Sequence, residues 1–263
     1  WLGHRRWEIS RSSGDYHGDA NSEGSISMAN TIKLGSLYLD DHPVEIGAEY
    51  VPSQSIKVGG TITGKEIIWV VVNGMLIADR CILTNVTWDD LNFNSLVFGK
   101  HITIGGYHYK TRLLKVGPEV DVPNEWDATL DVVGENDDLW HWDEIFFWGQ
   151  DAFNTHASYR VVRGYGSARR LEAVNKFVRH SSLGFRPVLD LLYMSASALR
   201  QGQKVLIIGP DGVVQGILCE QTDYDLIVRA KPNNLIGKVS FLSNISDNMV
   251  VIDLSRILGI VGS

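Results

Sequence analysis

Charge in this chain is segregated in a pattern that could do binding chemistry. Residues 155–186 carry seven Lys and Arg (Arg160, Arg163, Arg169, Arg170, Lys176, Arg179 and Arg186) against one acid, Glu172, so this window is +6 in a chain of formal charge −7. Just before it, Pro118 to Asp151 holds eleven Asp and Glu with no Lys or Arg, and six of the eight tryptophans fall between Trp69 and Trp148. Guanidinium groups grip carboxylate or phosphate in bidentate fashion. Tryptophan faces stack on sugar rings while carboxylates accept hydroxyl hydrogen bonds. Asp131, Glu135, Asp137 and Asp138 offer hard oxygen ligands for calcium. Against both readings stands a structural one, in which LWHWDEIFFW fills the core and the acids pair with the later arginines. It is preferred, and the calcium reading is weakened further because the DxDxDG spacing of a dedicated loop is absent. His141 with Asp143 and Glu144 could be drawn as an acid/base set, but a lone His among tryptophans is more often a satisfied core residue. No GxSxG, HExxH, Walker loop or GxGxxG occurs, so catalysis is not expected.

The elements that must hold the basic window are stiff at both ends. Tyr159, Val161 and Val162 are β-formers that Gly164 interrupts, which suits a strand ending in a turn. Pro187 restricts Arg186 to extended geometry, Gly184 permits a bend, and Phe185, Val188 and Leu189 supply apolar bulk. Between these ends, Ser167 to Ser182 is either irregular or an amphipathic helix around Ala168 to Val178, with Leu171, Val174 and Val178 inward.

Two framing motifs, RVVRGYGSA (Arg160 to Ala168) and LGFRPVL (Leu183 to Leu189), occur in order. Here the chain resembles the C-type-lectin-like superfamily in the branch of the formylglycine-generating enzymes, and in particular the phage and bacterial variable proteins associated with diversity-generating retroelements. Looser likeness runs upstream through GMLIADRCILTNVTWDDLN, LVFGKHITIGGYHYKTRLL, Asn124 to Asp127 and LWHWDEIFFWGQD, covering roughly residues 67–192. The resemblance implies an α+β, C-type-lectin-like scaffold whose positions between the motifs contact ligand and tolerate diversification. Carried over, these are Tyr165, Arg169, Arg170, Leu171, Glu172, Val174, Asn175, Lys176, Phe177, Arg179 and His180, with His156 and Tyr159 on the flank. Arg160, Arg163, Gly164, Ser167, Ala168, Gly184, Phe185, Arg186 and Pro187 would be structural. The enzymes of that branch use a close pair of cysteines to bind copper. Cys81 and Cys219, far apart in sequence, offer no such pair.

The remaining chain sets the expected organisation. Residues 1–27 read as an appended or flexible leader ahead of Met28, or as an arm that docks on a partner. Residues 28–66 read as a β attachment segment, 67–195 as the lectin-like domain, and 196–263 as a small antiparallel β module whose strands are separated by turns such as Pro210-Asp211-Gly212. No apolar run approaches the ~18 residues of a membrane span. The acidic net charge argues against general nucleic-acid binding, although the basic window leaves an acidic ligand open. The expected function is therefore a non-enzymatic receptor-binding or adhesion protein of a phage tail, prophage or bacterial surface. It would grip a cell-surface protein or glycan as a homo-oligomer, with a trimer implied by the resemblance, and without a cofactor, calcium being the one ion considered. The alternatives are a formylglycine-generating-type oxidoreductase and a structural virion decoration with no dedicated ligand.

Overall fold

The computed structural model describes residues 31–191, 198–246 and 248–262, so the expected leader and the 195/196 boundary lie outside the described residues. Three sheets account for the architecture. The first has eight strands in the order His42–Pro43, Thr31–Leu39, Glu66–Val72, Met75–Ala78, Pro187–Leu191, Tyr107–Leu113 and Lys100–Ile104, with Ile56–Gly59 as a further partner of Thr31–Leu39. The second has six strands, ordered Leu171–Asn175, Tyr159–Gly164, Phe146–Ala152, Leu183–Phe185, Leu83–Thr84 and Ala48–Glu49. The third, built from Lys204–Gly209 onward, has seven. Helices α1 (Trp88–Phe93), α2 (Glu125–Val133) and α3 (Asp137–Trp140) are short.

The α+β, C-type-lectin-like expectation is corrected by this architecture. The structure is 46% strand and 12% helix, and its sheets are curled and largely antiparallel. The physical reason is burial on both faces of the strands. In EIIWVVV, Ile67 and Trp69 enter one core while Val70 and Val72 enter another. Such near-continuous apolar strands are covered by other sheets as well as by helices, so no large helical layer is required. Tight turns connect them. Asn73-Gly74, with φ of 50° and 73°, joins Val72 to Met75, and Gly105-Gly106, at 61° and 91°, joins Ile104 to Tyr107. Positive φ at both central residues is the mark of the type I′ hairpin turn, which matches strand twist.

The insert between the framing motifs is not a helix. Leu171–Asn175 is an edge strand, paired antiparallel with Tyr159–Gly164 so that Arg163 faces Leu171 and Arg160 faces Val174. Leu171 and Val174, three apart and thus legible as one helical stripe, instead pack against different cores on opposite sides of the sheet. Tertiary packing overrides the helical spacing here. The third sheet has its own core, including Ile207, Val228 and Ile252, while Leu206, Ile208, Val213 and Val261 join the core of the first two sheets.

Candidate functional site

The frame of the insert is held by cations buried against backbone. Arg163, 3% exposed, donates through Nε and Nη2 to the Val116 carbonyl, through Nη1 to the Arg169 carbonyl at 2.6 Å, and through Nη2 to Asp127 at 2.9 Å. Burial pulls its pKa down against the opposing effect of Asp127. Arg186 is fully buried, donates to the carbonyls of Trp140 and His141, and lies over the rings of Phe147 and Trp126 at 4.7 and 5.2 Å. Gly164 has φ of 107°, and a Cβ there would stand 2.4 Å from the Ile145 carbonyl oxygen. Ala168, Gly184, Phe185 and Pro187 are buried as well, whereas Ser167 is exposed and holds the turn by accepting from Arg170 N–H.

The candidate contact residues fall into two groups at opposite ends of the edge strand, about 13 Å apart for four steps of extended chain. At the first end, Tyr165 adopts φ of 60° and stacks on Phe146 with ring centroids 5.0 Å apart and planes 12° from parallel. The Arg170 guanidinium lies 5.4 Å from the Phe146 ring and 5.7 Å from the Tyr165 ring, and pairs with Glu172 at 2.9 Å. Arg169 reaches the other way, to Asp131 at 2.7 Å and Glu135 at 2.5 Å, and those hydrogen bonds raise its pKa. It thereby ties the turn to α2.

At the second end, α1 forms the floor. Thr87 caps it, with Asp90 returning a bond to the Thr87 backbone, and this places Asp89 and Asp90 beneath the turn after Asn175. Lys176 pairs with Asp89 at 3.2 Å and Arg179 with Asp90 at 2.6 Å. Burial opposes ionisation of Asp90, but hydrogen bonds from Thr87 and Arg179 win, and its pKa is lowered. The Asn175 side chain accepts from Phe177 N–H, leaving the Phe177 ring 63% exposed beneath the Lys176 ammonium. His180 is exposed, its Nδ1 accepting from Ser182 N–H. Tyr159 is half-buried beside His156, with ring centroids 5.5 Å apart. Leu171 and Val174 point largely into the cores and offer little to a ligand.

Every cation of the +6 window thus has a protein partner, including Arg160, whose guanidinium lies 4.2 Å from the Trp88 ring. The window is not a bare cationic patch. The surface it offers an incoming molecule is aromatic and apolar, with paired charges. Comparison with known proteins finds no matching family model, curated protein or solved structure.

The other chemistries considered from the sequence find their groups engaged elsewhere. Trp69, Trp88, Trp126, Trp140 and Trp148 are buried, so these faces are not presented to a sugar. Of the carboxylates considered for calcium, Asp131 and Glu135 hold Arg169, and Asp137 accepts the Trp142 and Asp143 N–H groups. Among the described residues no cluster of three or more His, Cys, Asp or Glu is placed to hold a metal. His141 is engaged elsewhere: its Nε2 accepts from Arg80 at 2.9 Å, and its Nδ1 faces the Leu139 carbonyl and lies 3.8 Å from Asp79. Cys81 is buried in the core, which pushes its thiol up to about 11, and Cys219 belongs to the third sheet. Sequence reasoning missed Phe146, Asp89, Asp90 and Tyr50, whose ring lies 5.7 Å from the Arg179 guanidinium, as partners of the insert. The Thr87-x-x-Asp90 capping-box pattern was the available signal for Asp90.

Proposed function

We propose that this protein is a non-enzymatic binding protein that uses the turns flanking the edge strand Leu171–Asn175 to grip a protein or glycan on a bacterial cell surface. The observation that carries this reading is the stack of Tyr165 and Arg170, both exposed, on the half-buried Phe146 ring, beside a hairpin in which Arg163 and Gly164 are buried. Tyr and Arg dominate the few positions that supply most binding energy at interfaces, and a rigid support limits the entropy lost when they dock. Phe177, exposed at the other end of the strand, offers a second aromatic contact point. Support for a phage-borne or prophage-encoded adhesion role comes from the framing motifs, RVVRGYGSA and LGFRPVL, which resemble those of variable proteins. The C-type-lectin fold is no part of this reading. Presentation of several copies on a particle would multiply weak contacts.

The test is binding of the purified protein to whole bacterial cells and to a glycan array, beside a variant carrying Tyr165→Ala, Arg170→Ala and Phe177→Ala. All three side chains are exposed, so the variant is expected to keep the fold and lose binding by at least about thirtyfold, the effect of one hot-spot contact of ~2 kcal/mol. Equal binding by the two folded proteins would rule out this surface.

A further inference from the structure

We propose a second site, distinct from the insert: the cleft between the third sheet and the Gly105-Gly106 hairpin binds a phosphorylated saccharide. The cleft has a volume of about 460 Å3 and is lined by Lys204, Arg229 and Lys231, with Gln215, Asn234 and Asn248 between them. No carboxylate lines it. Among the described residues, no acid pairs with any of the three cations. What distinguishes them is convergence: the three line one cleft, and among the described residues no carboxylate pairs with them there.

Their convergence follows from register. Lys204 stands opposite Ile217, and Ile217 opposite Arg229, so the three form one row across adjacent strands. Alternation puts this row on the same face as Leu206, Ile208 and Val213, the residues that join the main core. The face therefore runs from its buried contact out into the cleft, where the cations meet solvent. Tyr107, buried and hydrogen-bonded through its hydroxyl to the Val205 carbonyl, fixes the opposite wall. Lys231 is placed by the turn that follows, in which its carbonyl accepts from Asn234 N–H, and Asn248 is tied in by the bond from Ala230 N–H to its carbonyl.

The lining selects the ligand class. A phosphate monoester carries about −1.5 to −2 charge at neutral pH and presents several acceptor oxygens, which suits a set of three cations. The three carboxamides can both donate to and accept from sugar hydroxyls, and the partly exposed Ile217 supplies an apolar floor. The volume lies within the ~300–1,000 Å3 range of small-molecule sites. The phosphate could belong to a free sugar phosphate or to a phosphate-bearing polysaccharide, and both present the same group to the cleft.

Calorimetric titration of the full chain with mannose 6-phosphate, mannose and yeast phosphomannan tests the site. The expected result is binding of mannose 6-phosphate but not mannose, weakened at least about tenfold in Lys204→Ala/Arg229→Ala and in Lys231→Gln, since a charge-assisted hydrogen bond is worth that much. Arg170→Ala, in the insert, should bind as the wild type does, which separates this site from the proposed cell-binding surface. Binding of phosphomannan alone, lost in the same variants, would support the site with polymer-borne phosphate as its ligand. Failure of both phosphorylated probes, equal binding of mannose, or binding unchanged in the cation variants would overturn the proposal.

Discussion

Asp90 shows how a single side chain organises the second end of the candidate site. It accepts from the Thr87 hydroxyl and backbone at the start of α1 and from Arg179 of the insert, so helix cap and turn share one carboxylate. Its pKa is lowered in the folded protein. A depressed carboxylate contributes stability that is full above its unfolded pKa, about 3.9 for Asp, and is lost as pH falls through the lower folded value. The Asp90→Asn variant is therefore expected to be less stable than wild type at neutral pH, with the gap constant from pH 7 to about 5 and closing in acid. Urea midpoints across that range check this, and a gap that does not change with pH would contradict it.

At the scale of elements, the hairpin Tyr159–Gly164/Leu171–Asn175 separates what must be conserved in shape from what faces solvent. Arg163→Ala leaves the Val116 and Arg169 carbonyls without this donor and removes one partner of Asp127, which keeps Asn124 and Arg169, a loss of about 1–3 kcal/mol for the carbonyls left unsatisfied. Gly164→Ala combines a left-handed backbone with a collision against Ile145 and should cost at least ~1–3 kcal/mol. Both are expected to lower the thermal midpoint. Retention of wild-type stability in either would mean the frame relaxes more easily than its geometry indicates. The frame itself was legible in the sequence, since Arg163, Gly164, Gly184 and Pro187 belong to stiff motifs. The edge strand was not, because Leu171 and Val174 mimic a helical stripe while serving two cores. The pairing of Arg169 with Asp131 and Glu135 was legible only as charge segregation, without the register that brings α2 to the turn.

For the whole molecule, the same double-sided burial explains why the fold class was misread. Strands such as Glu66–Val72 carry apolar residues on both faces, and a linear sequence does not tell whether a helix or another sheet covers them. The turns of the third sheet were plain in Pro210-Asp211-Gly212, yet its docking through Leu206, Ile208, Val213 and Val261 has no local signature. Because these residues share a core with the first two sheets, Ile208→Ala is expected to destabilise by about 2–5 kcal/mol. It should shift one cooperative unfolding transition seen by both Trp fluorescence and circular dichroism. A shift confined to one of two separate transitions would show that the third sheet unfolds independently.

The most direct test of the central claim, a recognition surface borne on a rigid frame, is a saturation screen of residues 159–187 read out twice, once for folded protein and once for binding to bacterial cells. Substitutions at Arg163, Gly164, Gly184 and Arg186 are predicted to lower both readouts together. Those at Tyr165, Arg170, Glu172, Phe177 and His180 should lower binding while leaving folding intact. Full binding across folded variants at these exposed positions would contradict the account.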